Sequence, residues 1–295
     1  MASIAVAAIG VAAGLWAAAQ PAVRLRAGPT VDASIRATPV PAPTPRSGPP
    51  GSGRQPGAAV PSPVPPTGVA RPTLPPKGVV ALIFDDAGAT LAQLDPILAL
   101  GRPATVAILP GLPASAAVAQ RAGTSGLEVI LHLPLEAEEA NHALGPGGVT
   151  TAMSPDAIAA QVRAGLDGLP GVVGLSGHMG SRATADRRVM TAVLGVVRER
   201  GLFFVDSRTT LDSVAAAVAR ELGIAVAERA VFLDNEDDPA YIAGQVRRLL
   251  EVARAKGSAV GIGHVQKQTA EVVRSLLPEF DRARIVLVPV SVLVR

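Results

Sequence analysis

The chain contains no cysteine. That excludes disulfides, thiolate nucleophiles and thiolate metal ligands together, so any metal must be held by His, Asp or Glu. A basic surface is missing too, although the formal net charge is +3. Seven of the 27 Lys/Arg but only one of the 24 Asp/Glu fall in residues 1–77, which leaves 20 bases against 23 acids in residues 78–295. The part able to fold is mildly acidic and carries no basic stripe, so no nucleic-acid partner is expected. Aromatic residues are scarce: one Trp, one Tyr and five Phe in 295 residues.

Proline is abundant but unevenly placed. Residues 21–77 hold 16 of the 27 prolines, interspersed with Gly, Ser and Thr. Such a stretch has too little apolar surface to bury and is expected to be a disordered linker. Ahead of it, residues 2–19 carry no charge and are almost wholly apolar. At about 1.5 Å rise per residue, they just reach across a bilayer core of about 30 Å. Residues 1–20 are therefore either a membrane anchor or a signal peptide, with AAAQPA offering small residues for cleavage. No Lys or Arg precedes the run, whereas Arg24 and Arg26 follow it, which the positive-inside rule counts against export. Taken together, the two segments suggest a domain held off a membrane. The expected location is periplasmic, tethered to the inner membrane or released after cleavage.

Residues 78–295 suit one domain. Apolar runs predict strands at 79–84, 103–109, 127–132, 172–176, 202–206, 231–233, 258–263 and 285–290. Helical periodicity lies between them at about 90–100, 113–124, 155–168, 185–200, 210–222, 239–256 and 267–277. Ser154-Pro155 and Asp238-Pro239 each place a capping residue before an N1 proline. Gly101, Gly201, Gly223 and Gly257 stand where helices end. This alternation implies a parallel sheet or barrel.

In such folds chemistry gathers at the carboxyl ends of the strands. Asp85 and Asp86 end the first run, inside VALIFDDAG. His132 ends the third, followed by Glu136. His178 and Arg182 lie in SGHMGSR after the fourth, and Asp206 and Arg208 in DSRTT after the fifth. Asp234 and Asn235 follow the sixth, and His264 ends the seventh. Three of the four histidines thus stand at strand ends. One Asp and two His match the donor count of a catalytic zinc that keeps a position open. Neighbours at a strand end face different ways, so one acid of the pair is free to bind while the other stands beside it. Asp86, His132 and His178 are taken as the ligands of a divalent metal, with Zn2+ first in line. Asp85 becomes the base that takes a proton from water, and His264 the acid for the leaving group, oriented or raised in pKa by Asp206. Arg182 and Arg208 are expected to pair with Asp85 or Asp206, or else to form ordinary rim ion pairs. Arg182, Glu136 and Asn235 are the substrate-binding candidates. Gly177 and Gly180 flank His178, as a close backbone approach or as turn residues. His142, in a long polar loop at about 134–153, is expected to be a surface or packing residue, and the loop a cleft wall.

The ordered set FDDAG, HLPLE, GHMGSR, FFVDSRTT, FLDN, IGH and LVPVS resembles the divergent polysaccharide deacetylases of the NodB-like carbohydrate esterase group. The resemblance covers almost all of residues 78–290. It implies a distorted (β/α) barrel of about seven parallel strands, a divalent metal at its mouth, and hydrolysis of an acetyl group on a sugar. It also implies Asp85 as base, Asp86, His132 and His178 as metal ligands, and His264 as acid. The familiar spacing of two histidines four apart is absent here, so the second imidazole must come from His178 on another strand. Val265 and Gln266 follow His264 where a proline is expected. With no Trp and a single Tyr, Tyr241, in 78–295, ring stacking along a long, flat polysaccharide groove is not expected, which leaves a short or non-carbohydrate substrate open.

Two functions fit. One is a metal-dependent deacetylase acting on an acetylated envelope glycan. The other is a non-catalytic envelope module that keeps the fold and binds a glycan or a protein.

Overall fold

The computed structural model describes residues 75–139 and 143–295. The expectations for residues 1–20, for nearly all of 21–77 and for His142 lie outside the described residues. Strand β1 (Gly78–Ala87) organises the rest. Val80, Ala81, Leu82, Ile83 and Phe84 are all fully buried, as a strand covered on both faces requires. Val80, Leu82 and Phe84 join the large core beneath the helices. Ala81 and Ile83 instead face an inner core with Ala107, Ile130, Val205, Ala227 and Ile262. Period-two alternation thus separates a helix side from a lumen side.

The remaining strands are β2 (Thr105–Ile108), β3 (Glu128–Leu135), β4 (Gly174–Met179), β5 (Phe203–Asp206), β6 (Val226–Glu228), β7 (Val231–Phe232), β8 (Ser258–His264) and β9 (Ile285–Val288). All pair in parallel, in the order β6-β5-β4-β3-β2-β1-β8-β7. Only two residues separate β6 from β7, yet they are opposite ends of that order. The Arg229 N–H donates to Asp206 O on one edge, and the Ala230 N–H to Val260 O on the other. The sheet therefore curls until its edges meet at this connection, giving the distorted NodB-like barrel. β9 pairs with Gly78–Ala81, below the Ile83–Ala87 segment that takes β2.

Helices α1 (Asp95–Leu98), α2 (Ser115–Thr124), α3 (Pro155–Asp167), α4 (Arg187–Glu199), α5 (Ala215–Glu221), α6 (Pro239–Lys256) and α7 (Lys267–Ala283) cover the outside. The Ser154 hydroxyl accepts the Ala157 N–H to start α3, and the Asp238 carboxylate accepts that of Tyr241 to start α6. α6 stops at Gly257, whose φ of 81° suits glycine. Among the described residues no helix is long and apolar enough to cross a membrane.

The sequence pattern misses three features. β6 is only three residues long and lacks a distinct apolar run. The predicted helix 90–100 is mostly a 3-10 turn, Leu91–Leu94, followed by the short α1. α7 continues past 277 through Pro278 to Ala283, because Phe280 is buried in the outer core and holds the last turn.

Candidate metal centre and active site

Alternation selects the side chains that enter the mouth. Ile130 faces the lumen, so His132 does; Ile262 faces it, so His264 does. Ile83 sets Asp85 the same way. Asp86 should then point outward, but its φ is +67° and the β1–β2 register shifts between Phe84 and Ala87. This left-handed turn, tolerated by Asp better than by most residues, brings its carboxylate back to the mouth. Asp86 Oδ1 lies 2.8 Å from His178 Nδ1 and 3.2 Å from His132 Nε2.

The donor atoms of Asp86, His132 and His178 lie within 4.8 Å of one another. Asp86 Oδ1 is buried, and no hydrogen-bond donor is aligned on it. His132 Nδ1 is held by the Ser176 hydroxyl at 2.8 Å, which fixes the ring and leaves Nε2 facing the carboxylate. Two imidazoles and a carboxylate converging with one ring nitrogen already held are a donor set that suits a divalent cation such as zinc. Burial pushes the Asp86 carboxyl up, but the two imidazoles outweigh it and hold the group well below the usual carboxylate range.

Asp85 differs from its neighbour. Burial pushes its pKa up to about 6, with His132 and the other imidazoles opposing the rise. Its Oδ2 lies 3.6 Å from His132 Nε2, while its Oδ1 is buried without a partner. The adjacent acids thus have different environments and different proton affinities. His264 faces Asp85 across the β1–β8 ladder. Its pKa is raised by the hydrogen bond to Asp234, against the effect of burial.

That bond corrects an expectation. Asp234, not Asp206, orients His264: its Oδ1 lies 3.1 Å from His264 Nδ1, and its Oδ2 accepts the His264 N–H (2.8 Å) and the Thr269 hydroxyl (2.6 Å). Phe203 and Val205 face the lumen, so Asp206 falls on the helix side. There it accepts the Arg208 N–H and the Ser213 hydroxyl, each at 2.8 Å. Of the two expectations for the arginines, the ordinary ion pair is the one the structure bears out. Arg208 (φ 49°) turns its side chain to Glu228 at 3.0 Å. Arg182 stands 3.7 Å from Glu136 and donates to the Glu138 carbonyl. Neither guanidinium forms an ion pair with Asp85 or Asp206, because both sit on the outer rim.

Glu136 is engaged by Thr151, whose N–H and hydroxyl donate to its Oε2 at 2.6 and 2.7 Å. Asn235 is exposed on the loop after β7. At Gly177 and Gly180 the close approach is to Leu135, where an added Cβ would come within 2.9 and 3.0 Å. Beside His178, Met179 and Ser181 join Ala137, Glu138, Glu139 and Thr209 around an open cleft of ≈ 400 Å³. Arg229 and Ser207, at the same mouth, were not among the candidates. The alternation through Ala227 and Val205 is the signal that reaches them.

Residues 82–294 match the family model of the divergent polysaccharide deacetylases. An uncharacterized protein of Haemophilus influenzae is 34% identical over 196 residues, covering 66% of this chain and 70% of that protein. The uncharacterized protein YibQ of Escherichia coli is 32% identical over 200 residues, covering 68% of this chain and 62% of that one. The crystal structure of the uncharacterized protein ATU2773 from Agrobacterium tumefaciens superposes with a TM-score of 0.69 at 20% identity. That match covers 76% of this chain and 92% of the other, and it shows a shared fold. By the family match along its folded part, the chain belongs to the divergent polysaccharide deacetylases.

Proposed function

We propose that the protein is a metal-dependent deacetylase that hydrolyses an N- or O-acetyl group on an envelope glycan. The observation that carries this reading is the convergence of three kinds of group in one mouth. Asp86, His132 and His178 offer a cation site, Asp85 offers a base, and His264 offers an acid held by Asp234. A divalent ion bound there supplies Lewis-acid polarisation of the acetyl carbonyl and acidifies water. Asp85, whose carboxyl is pushed up from the usual carboxylate range by burial, stands where a base would accept a proton as water adds to the acetyl carbon. The hydrogen bond to Asp234 raises the His264 pKa, which favours the imidazolium that would donate to the departing nitrogen or oxygen as the bond to the acetyl carbon breaks. The products are acetate and the free amine or hydroxyl. The Ser176–His132 and Thr269–Asp234 hydrogen bonds hold the rings in place.

The expected test uses the full chain loaded with Zn2+ and N-acetylated chito-oligosaccharides, with acetate as the readout. Wild type releases acetate, and Asp85→Asn lowers the rate by about 10²- to 10⁴-fold. Stoichiometric metal binding without acetate release from any acetylated glycan would instead favour the non-catalytic binding module. The envelope location belongs to the same proposal. Cell fractionation should place the chain in the periplasm or on the inner membrane, and its size there reports whether residues 1–20 are retained.

A further inference from the structure

One charge in the mouth has no part in the chemistry above. Arg229 follows lumen-facing Ala227 by two positions, and its guanidinium lies 5.2 Å over the ring of Phe232. Its Nε donates to Ser207 O at 2.5 Å and its Nη2 to Arg208 O at 2.7 Å. These carbonyls fix the fork without neutralising it. Nearby arginines are matched with acids: Arg208 and Arg220 meet Glu228, and Arg182 stands by Glu136. Among the described residues, Arg229 has no carboxylate within the 4.0 Å of an ion pair. Asp206 and Asp85 act on it through longer-range attraction. An unneutralised, half-buried guanidinium is costly, and its planar fork fits a carboxylate or phosphate.

A second observation points the same way. Ser207 is 6% exposed, and its hydroxyl is buried without a hydrogen-bond partner. It follows lumen-facing Val205 by two positions, and its own carbonyl holds Arg229. Phe232 packs edge-on against His264 at 5.3 Å as well as beneath Arg229. The pair therefore stands one aromatic ring from the proposed acid. Resting on the glycan-deacetylase reading, we propose that Arg229 and Ser207 form a subsite for an anionic substituent, a carboxylate or phosphate, on the acetylated sugar. Recognition by charge also accords with the scarcity of aromatic residues for stacking.

The test is calorimetric titration of the full-length, zinc-loaded protein with N-acetylglucosamine, its 6-phosphate and its uronic acid. At least one anionic sugar should bind about tenfold or more tightly than the neutral one. The preferred sugar identifies phosphate or carboxylate. Arg229→Gln should erase the preference and Ser207→Ala should narrow it, with thermal melts reporting that each variant folds. If Arg229→Gln does not fold, Ser207→Ala decides. Equal binding of charged and neutral sugars, or a preference that survives substitution, overturns the subsite. Should none of these sugars bind, acetate release from chito-oligosaccharides still decides the glycan reading, and inorganic phosphate decides the subsite alone. Binding weakened about tenfold in the variant that folds supports it, and unchanged or absent binding refutes it.

Discussion

His264 is gripped by one carboxylate from two directions, through its main-chain N–H and through Nδ1. This fixes both the position of the ring and its proton affinity. Asp234→Asn removes the charge while keeping a similar shape. The His264 pKa, raised chiefly by that hydrogen bond, should then fall. The alkaline limb of the acetate-release profile should move to lower pH, and NMR titration of the imidazole should shift the same way without relying on activity. A raised pKa also stabilises the fold below the unfolded-state value, and this contribution is lost as pH rises through the folded one. The part of the variant's stability loss that comes from the His264 charge should therefore be present at acidic pH and fade as pH rises through the folded pKa, leaving the cost of the weakened bonds to Thr269 and the His264 N–H. A separate prediction concerns Asp86, His132 and His178. Replacing His178 by Ala removes one donor of three and should weaken zinc binding by at least about tenfold in a competition titration, whether or not any glycan is turned over. Most of these residues were legible as strand-end groups. Asp234 was legible as a strand-end acid, but its partner was not: β7 ends at Phe232, and the bonds from the His264 N–H and Thr269 depend on strand and helix neighbours that no sequence spacing reveals. Asp86 ran the other way: strict alternation sends it outward, and only its positive φ returns it to the site.

Helix ends were easy to read because their signals are local. Ser154-Pro155 and Asp238-Pro239 start α3 and α6, and both side chains accept the expected main-chain N–H. Ser154→Ala or Asp238→Ala should each cost about 1 kcal/mol, seen as a lower urea midpoint with an unchanged slope. Neither cap touches the mouth, so zinc affinity should not move. Elements set by distant contacts were harder to read. Pro278 looks like a helix stop, yet burial of Phe280 carries α7 through it. β6 consists of Val226, Ala227 and Glu228, too short for a periodic signal. It exists because β5 offers it an edge and the C-terminal segment exchanges hydrogen bonds with it: Val226 N–H donates to Arg295 O and Arg295 N–H to Val226 O. Missing β6 hid Arg229, which the β6–β7 connection carries into the lumen. The arginine pairings were hidden for a related reason. Arg208 follows β5, and Glu228 ends the neighbouring β6; no sequence spacing reveals which strands are adjacent.

At the scale of the whole barrel, the two ends have different work. All strands run parallel, so their carboxyl ends form the mouth and their amino ends the floor. Residues 290–295 cross that floor. Val290 is fully buried in the inner core, and its N–H donates to the Thr105 hydroxyl at 3.0 Å. That hydroxyl donates to Glu128 Oε1, which also accepts the Ser291 N–H at 3.1 Å. Thr105 and Glu128 open β2 and β3, so the segment ties together strands whose far ends carry or adjoin the site. Val290→Asp would bury an unpaired charge in an apolar lumen, which should destabilise the fold by about 3 kcal/mol or more. Val290→Ala should cost less, about 1–2 kcal/mol, by removing buried methyl groups. Chemical denaturation gives both values. Zinc affinity, corrected for the folded fraction, should stay at the wild-type level in Val290→Ala, because Val290 packs in the inner apolar core and is not one of the groups that converge on the cation site. A loss of affinity beyond the loss of folded protein would mean instead that the floor sets the geometry of Asp86, His132 and His178 through the strands between them.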